Sequence, residues 1–243
     1  MKLALLPAAL VALAATFAPA AQAQVADGDF SAGLAGWSTL GDASVKTADA
    51  ASPTRLWLTT ASVDYEDDLD AGLPAGARNA SGMPAADIGL VEPFLGVATF
   101  GLDDPAGPGA TEGSAAAQTF MAAAGSTLRF SWDFGTRDRV DDAAFVIVDG
   151  QLFTLATSPD ATLPGIDGNA THTGWADWST TFAAGGAHTV AFGVVDRGDY
   201  DDTSTLAIAD VNLSIGAVPE APVPALLAAG LALVAVGLRR RRA

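Results

Sequence analysis

Thr127-Leu-Arg-Phe-Ser-Trp-Asp-Phe134 alternates strictly between apolar and polar residues. An extended chain turns successive side chains to opposite faces. Leu128, Phe130, Trp132 and Phe134 therefore share one side, and Arg129, Ser131 and Asp133 the other. The pattern predicts a strand with one face in a core and one in water. Immediately downstream, Ala143-Ala-Phe-Val-Ile-Val148 is apolar at every position, as a strand covered on both faces requires. Asp149-Gly150 then offers a hairpin turn into a strand over Gln151 to Leu155. Further strands are expected at Ala43 to Thr47, Leu56 to Thr60 and Ala115 to Met121. Trp178 to Phe182 and His188 to Val195 are expected to pair with each other across Gly185-Gly186. Short strands with this Gly/Pro/Asp punctuation predict an all-β sandwich.

The last strand, Leu206 to Ile215, changes phase. Leu206 and Ile208 share one parity, Val211, Leu213 and Ile215 the other. One extra residue near Ala209-Asp210 keeps both sets facing the core, so a β-bulge is expected there. Between residues 61 and 113 the pattern weakens. The acidic run Asp64-Tyr-Glu-Asp-Asp-Leu-Asp70 and Gly/Pro-rich stretches surround one apolar island, Leu90 to Phe100. No helical period stands out, which leaves an unusually long irregular region for one domain.

Composition narrows the chemistry. The chain carries a formal charge of −16, and the terminal segments hold five of its 12 basic residues and one of its 28 acids. The body, residues 24–217, thus sets 7 basic against 27 acidic residues. Such a body repels nucleic acid, whose binding needs clustered Lys and Arg. Cysteine is absent, which excludes disulfides, thiolate catalysis and Cys-type zinc sites.

Both ends read as targeting segments. Residues 1–23 form a signal helix: Lys2, an apolar run from Leu3 to Pro19, and the cleavage motif Ala21-Gln22-Ala23. At the other end, residues 218–243, a Pro-rich lead-in precedes 16 uncharged residues from Val223 to Leu238, then Arg239, Arg240, Arg241 and Arg242. As a transmembrane helix this run spans roughly 24 Å, short of a comfortable crossing, and its arginines place the body outside.

This tail resembles the PEP-CTERM sorting signal of exported bacterial proteins. The resemblance rests on Val218-Pro219-Glu220, the run Ala225 to Leu238 and the four arginines, with Ala221 in place of the usual second proline. It implies export, membrane retention, processing by an exosortase-type enzyme near the Pro-Glu motif, and a setting rich in extracellular polysaccharide, as in a biofilm matrix. The body is similar to a domain of some PEP-CTERM proteins, through Asp27-Gly-Asp-Phe30 with Gly36-Trp37, residues 111–120, residues 124–134 and residues 201–213. That similarity implies a jelly-roll, galactose-binding-like sandwich of the carbohydrate-binding type.

Among site chemistries, calcium is the sharpest expectation, since hard cations gather several oxygen ligands. Asp196, Asp199, Asp201 and Asp202 cluster in one loop before the last strand. In jelly rolls similar to this body, a structural ion lies where the first acidic turn meets the last strand, which here implies Asp27 and Asp29 with Asp210. Solvated turn aspartates are the competing explanation, and no EF-hand loop occurs. Of five tryptophans, Trp37 and Trp175 are candidates for stacking on sugar rings, the remainder for core packing. Catalysis has little support: His172 and His188 are the two histidines, and no G-x-S-x-G elbow is present. Arg197-Gly-Asp199 and the sequons at Asn79, Asn169 and Asn212 are chance occurrences in an acidic bacterial chain. The sequence therefore favours a non-enzymatic exported surface or matrix protein. A calcium-stabilised carbohydrate-binding module and a secreted hydrolase stand as alternatives.

Overall fold

The computed structural model describes residues 24–49, 52–139 and 142–214. The expected signal helix and transmembrane helix, with the motif residues Ala21, Ala23, Val218, Pro219, Glu220 and Arg239 to Arg242, lie outside these residues. Among the described residues no helix is long and apolar enough to cross a membrane.

In chain order the elements are β1 (Ser38–Leu40), β2 (Asp42–Lys46), β3 (Arg55–Thr59), β4 (Ala86–Asp87), α1 (Ile88–Leu95), β5 (Ala110–Ala122), β6 (Thr127–Thr136) and β7 (Ala143–Val148). They continue with β8 (Gln151–Thr157), β9 (Leu163–Pro164), β10 (Thr171–His172), β11 (Ala176–Thr181), β12 (Gly186–Arg197) and β13 (Ser204–Ser214). Two antiparallel sheets face each other. One runs β1-β5-β12-β7-β8 with β4 against β5; the other runs β2-β3-β13-β6-β10-β9 with β11 also against β6.

The alternation in β6 does what its pattern requires. Leu128, Phe130 and Phe134 are fully buried between the sheets, and Trp132 packs at the edge of that core. A file of rings crosses the interior: Phe30, Trp37, Phe192, Phe130, Trp178 and Phe153, with successive centroids 4.8–5.7 Å apart. The all-apolar β7 is buried on both faces. Ala144, Val146 and Val148 enter the inter-sheet core, while Ala143, Phe145 and Ile147 enter a second core under α1.

That second core corrects the expectation that residues 61–113 lack helix. Asp87 caps α1 by accepting from the Gly89 N–H at 2.8 Å, and Gly96, at φ 74°, ends it. Val91 and Leu95, four apart, bury against Phe145, Ile147 and Val195. Pro93, inside an eight-residue helix, hides the period from sequence. The acidic run is likewise not a solvated loop: Glu66, Asp67 and Asp68 are buried and collect N–H donors from their surroundings.

The bulge is present. Ala209 pairs with Ser131 and Asn212 with Arg129, so β13 carries one extra residue. Asp210 takes φ 54°, and Ile208 and Val211 both reach the core. Pairing of the segments flanking Gly185-Gly186 is overturned. β11 joins β6 in one sheet, whereas β12 lies between β5 and β7 in the other. The link crosses the sandwich because Phe182 turns inward against Phe120, ring centroids 5.8 Å apart, and bonds back to Ser126. The N-terminal arm closes the structure. Gln118 clamps the Ala26 backbone at both N–H and C=O, and the Val211 N–H donates to Gly28 O. A Cβ at Gly28 would come within 1.9 Å of Val211 O, so the arm lies this close only with glycine.

Candidate functional site

With α1 over the six-stranded sheet, the outer face of the seven-stranded sheet is left to carry a polar groove. On β3, Leu56 and Leu58 point into the core, so Trp57 points outward. Lys46, beside it on β2, places its ammonium 3.4 Å from a ring centroid of Trp57. Burial pushes that ammonium below the usual lysine range, against the opposing pull of Asp167. Asp167 and Gly168 both adopt left-handed backbone at the turn between β9 and β10. That turn lets Asp167 accept from the buried Arg55 at 2.8 Å and face Lys46 at 3.9 Å. Asn169 donates to Thr205 Oγ1 at 3.0 Å, and Arg137 reaches the Gly168 carbonyl. The resulting cavity, about 220 Å³, is lined by Lys46, Trp57, Arg78, Asp167, Asn169 and Thr205.

A narrower slot of about 10 Å³ adjoins it, with room for roughly one water. Asp133 on β6 forms its floor, held by His172 Nδ1 at 2.9 Å and the Thr173 hydroxyl at 3.1 Å. Trp175 lines the same slot, its indole N–H buried without a hydrogen-bond partner. It gets there because the edge alongside β6 is interrupted between β10 and β11, where Gly174 has φ 79°. Of the seven basic residues in the body, Lys46, Arg55, Arg78 and Arg137 gather around this groove.

Trp175 thus stands where a ligand could touch it. Trp37 does not: it is 8% exposed and wedged between Phe30 and Phe192, so it is a core residue. Sequence reasoning passed over Trp57, although its parity between two inward leucines marks an outward-facing tryptophan.

The expected calcium ligands do not converge as a set. Asp27 Oδ1 accepts from the Ala32 N–H, and Asp29 from Ser31, whose two hydrogen bonds hold the Asp29 carboxyl below the usual range. Asp210 is exposed on the bulge. Asp199 caps the Asp201 N–H, and Asp202, at φ 61°, donates its own N–H to Asp67 O. Asp27, Asp29 and Asp199 thus each hold a nearby backbone N–H. Asp196 instead meets Asp138 and Asp142, an association that no spacing in the chain signals. Their carboxylate oxygens lie within 4.8 Å of one another, the one such cluster among the described residues. Asp142 accepts from Ser204 Oγ at 2.5 Å and from the Arg197 N–H at 3.0 Å. Burial, then Asp142 and Asp199, push the Asp196 carboxyl up to about 10. The Arg197 side chain donates to the Leu102 carbonyl in the interior, which takes it out of any adhesion role.

Elsewhere along this acidic end, burial raises Asp67 to about 6, with Asp68 and Glu66 adding to it, and raises Glu112 to about 7, with Asp67 and Asp87 adding to it. Both acids hold a proton to higher pH when folded than when unfolded, so the folded state binds more protons and stability falls as pH rises. In the presence of chelator, the urea midpoint is expected to drop between pH 5 and pH 8. Asp67→Asn and Glu112→Gln should each recover about 1 kcal/mol of that loss, after allowance for screening. A flat profile in the parent chain would contradict this.

No family model matches the chain, and no curated protein matches it. Solved structures similar to it include TmCBM61 in complex with beta-1,4-galactotriose, at 12% identity and TM-score 0.40 over 79% of this chain and 97% of that one. Another is the K3 cleaved adhesin domain of Lys-gingipain from Porphyromonas gingivalis, at 14% identity and TM-score 0.43 over 79% and 99%. A third is the N-terminal cellulose-binding domain of Cellulomonas fimi β-1,4-glucanase C, at 13% identity and TM-score 0.32 over 75% and 90%. Identities and scores this low assign no ligand to the present chain.

Proposed function

We propose that this protein is an exported, non-enzymatic carbohydrate-binding module of the jelly-roll type, which holds extracellular polysaccharide in the groove over Trp57 and Trp175. The observation that carries the proposal is the groove's make-up. The half-buried Trp175 lies beside planar polar side chains, Asn169 and Asp133 with His172, and Trp57, 5% exposed with the Lys46 ammonium over its ring, forms the apolar floor next to Arg78. Sugars are recognised by this combination of apolar ring faces and fixed polar groups. The cavity is smaller than the ~300–1,000 Å³ of drug-sized pockets, which suits one sugar unit of a chain. The cations gathered here are paired with Asp49, Asp68 and Asp167, so the groove suits a neutral sugar chain better than an acidic one. Asp133 and Asp167 are both engaged as acceptors, an arrangement for orientation more than for proton transfer.

Glycan-array screening of the full chain, followed by titration calorimetry, tests the proposal. Trp175→Ala and Asn169→Ala are expected to weaken the best glycan at least about tenfold, or about 1.4 kcal/mol each, with unchanged thermal midpoints. Absence of glycan binding by the parent chain, or binding as tight as the parent's in both variants, would overturn it. The address proposed with it is export followed by transient retention through residues 218–243 and exosortase-type cleavage. The intact mass of protein recovered from cells tests that address; a mass that retains the tail counts against cleavage.

A further inference from the structure

We propose that Asp138, Asp142 and Asp196 form a binding site for a divalent cation, of the size of calcium, that fastens the two sheets at one end of the sandwich. Asp138 follows β6 of the seven-stranded sheet, Asp142 precedes β7 and Asp196 lies near the end of β12, both in the other sheet. The connection from β6 to β7, which carries Asp138 and Asp142 from one sheet to the other, therefore meets β12 at Asp196. Their oxygens lie within 4.8 Å of one another. Calcium takes oxygen ligands at about 2.3–2.6 Å, which sets oxygens on opposite sides of the ion about 5 Å apart.

A second observation points to a ligand. Asp196 is 1% exposed, and its Oδ1 is buried with no hydrogen-bond partner. A buried carboxylate oxygen without a donor is costly, and a cation supplies what the protein does not. Glu112, paired with Asp196 across β5 and β12, also buries one oxygen without a hydrogen-bond partner. By contrast, both oxygens of Asp142 are oriented by Ser204 Oγ and the Arg197 N–H, which fixes that carboxylate toward its neighbours. Water supplies the remaining oxygens of the shell that such an ion requires.

Thermal unfolding of the full chain in calcium and in excess EDTA tests the site. Calcium at about 100 times its dissociation constant is expected to raise the midpoint by roughly 5–10 °C. Asp196→Asn removes one of several crowded negative charges, so it should fold and lose the calcium response. The double variant Asp27→Asn/Asp29→Asn should keep it. Two results overturn the proposal: the same midpoint in calcium and in EDTA, or a full calcium response in Asp196→Asn. The second would locate the ion elsewhere. Neither readout involves sugar, so its failure and the failure of the groove are separate.

Discussion

Phe192→Ala is expected to lower the unfolding free energy by about 3–5 kcal/mol, the largest loss from a single residue in the core. Phe192 is fully buried on β12, the strand in the middle of its sheet, and its ring meets Trp37 at 5.7 Å and Phe130 edge-on at 4.8 Å. Truncation opens a void at the centre of the ring file, where rigid strands on both sides resist collapse. Phe192→Leu fills most of that void and should cost under about 1.5 kcal/mol. Urea denaturation of the two variants reads the difference directly. Equal stabilities would mean that the two sheets close over the gap.

Asp68→Ala comes next, with an expected loss of roughly 3 kcal/mol. Its carboxylate is fully buried and accepts from Arg78 Nε at 2.7 Å and from the Thr203 N–H at 2.8 Å, while Arg137 Nε stands 3.4 Å away. Removal leaves two partly buried guanidinium groups without their shared counter-charge and frees the entry to β13. Because Arg78 and Arg137 border the groove, the variant is also expected to bind glycan more weakly, whereas Phe192→Ala at low temperature is not. Calorimetric titration of both variants separates the two effects.

The parts of this fold legible in sequence are those where one local rule operates. Period-two alternation placed β6, an unbroken apolar run placed β7, and a parity change located the bulge at Asp210. Where two rules conflict, the pattern misleads. Pro93 inside α1 masks a real helix. The double glycine before β12 looks like a hairpin turn, but the inward pull of Phe182 sends the chain to the opposite sheet. The acidic run over residues 64–70 gives no sign of burial in sequence, because its partners, Arg78 and the N–H groups of Ser62, Ala77 and Thr203, follow no regular spacing. The same holds for the candidate sites. Turn aspartates announce themselves by density, yet Asp138, Asp142 and Asp196 are neighbours by topology alone. Trp175 was visible as a candidate; the groove needed β2, β3, β6, β10 and β13 assembled before Trp57 and Asn169 could be placed beside it.

The course of β13 has a mechanical consequence. The strand starts beside the groove at Thr205 and finishes at Ser214, about 30 Å further on at the usual rise of an extended chain. The N-terminal arm docks at that far end through Gly28 and Val211. Gly28 and Ser214 therefore lie further along β13 than Ala207, the residue paired with Trp57. Load entering the N-terminal arm is shared between β5, through Gln118, and β13, through Val211. Under the proposed function, a polymer strand in the groove stands off from the end of β13 at Ser214 by most of that strand's length.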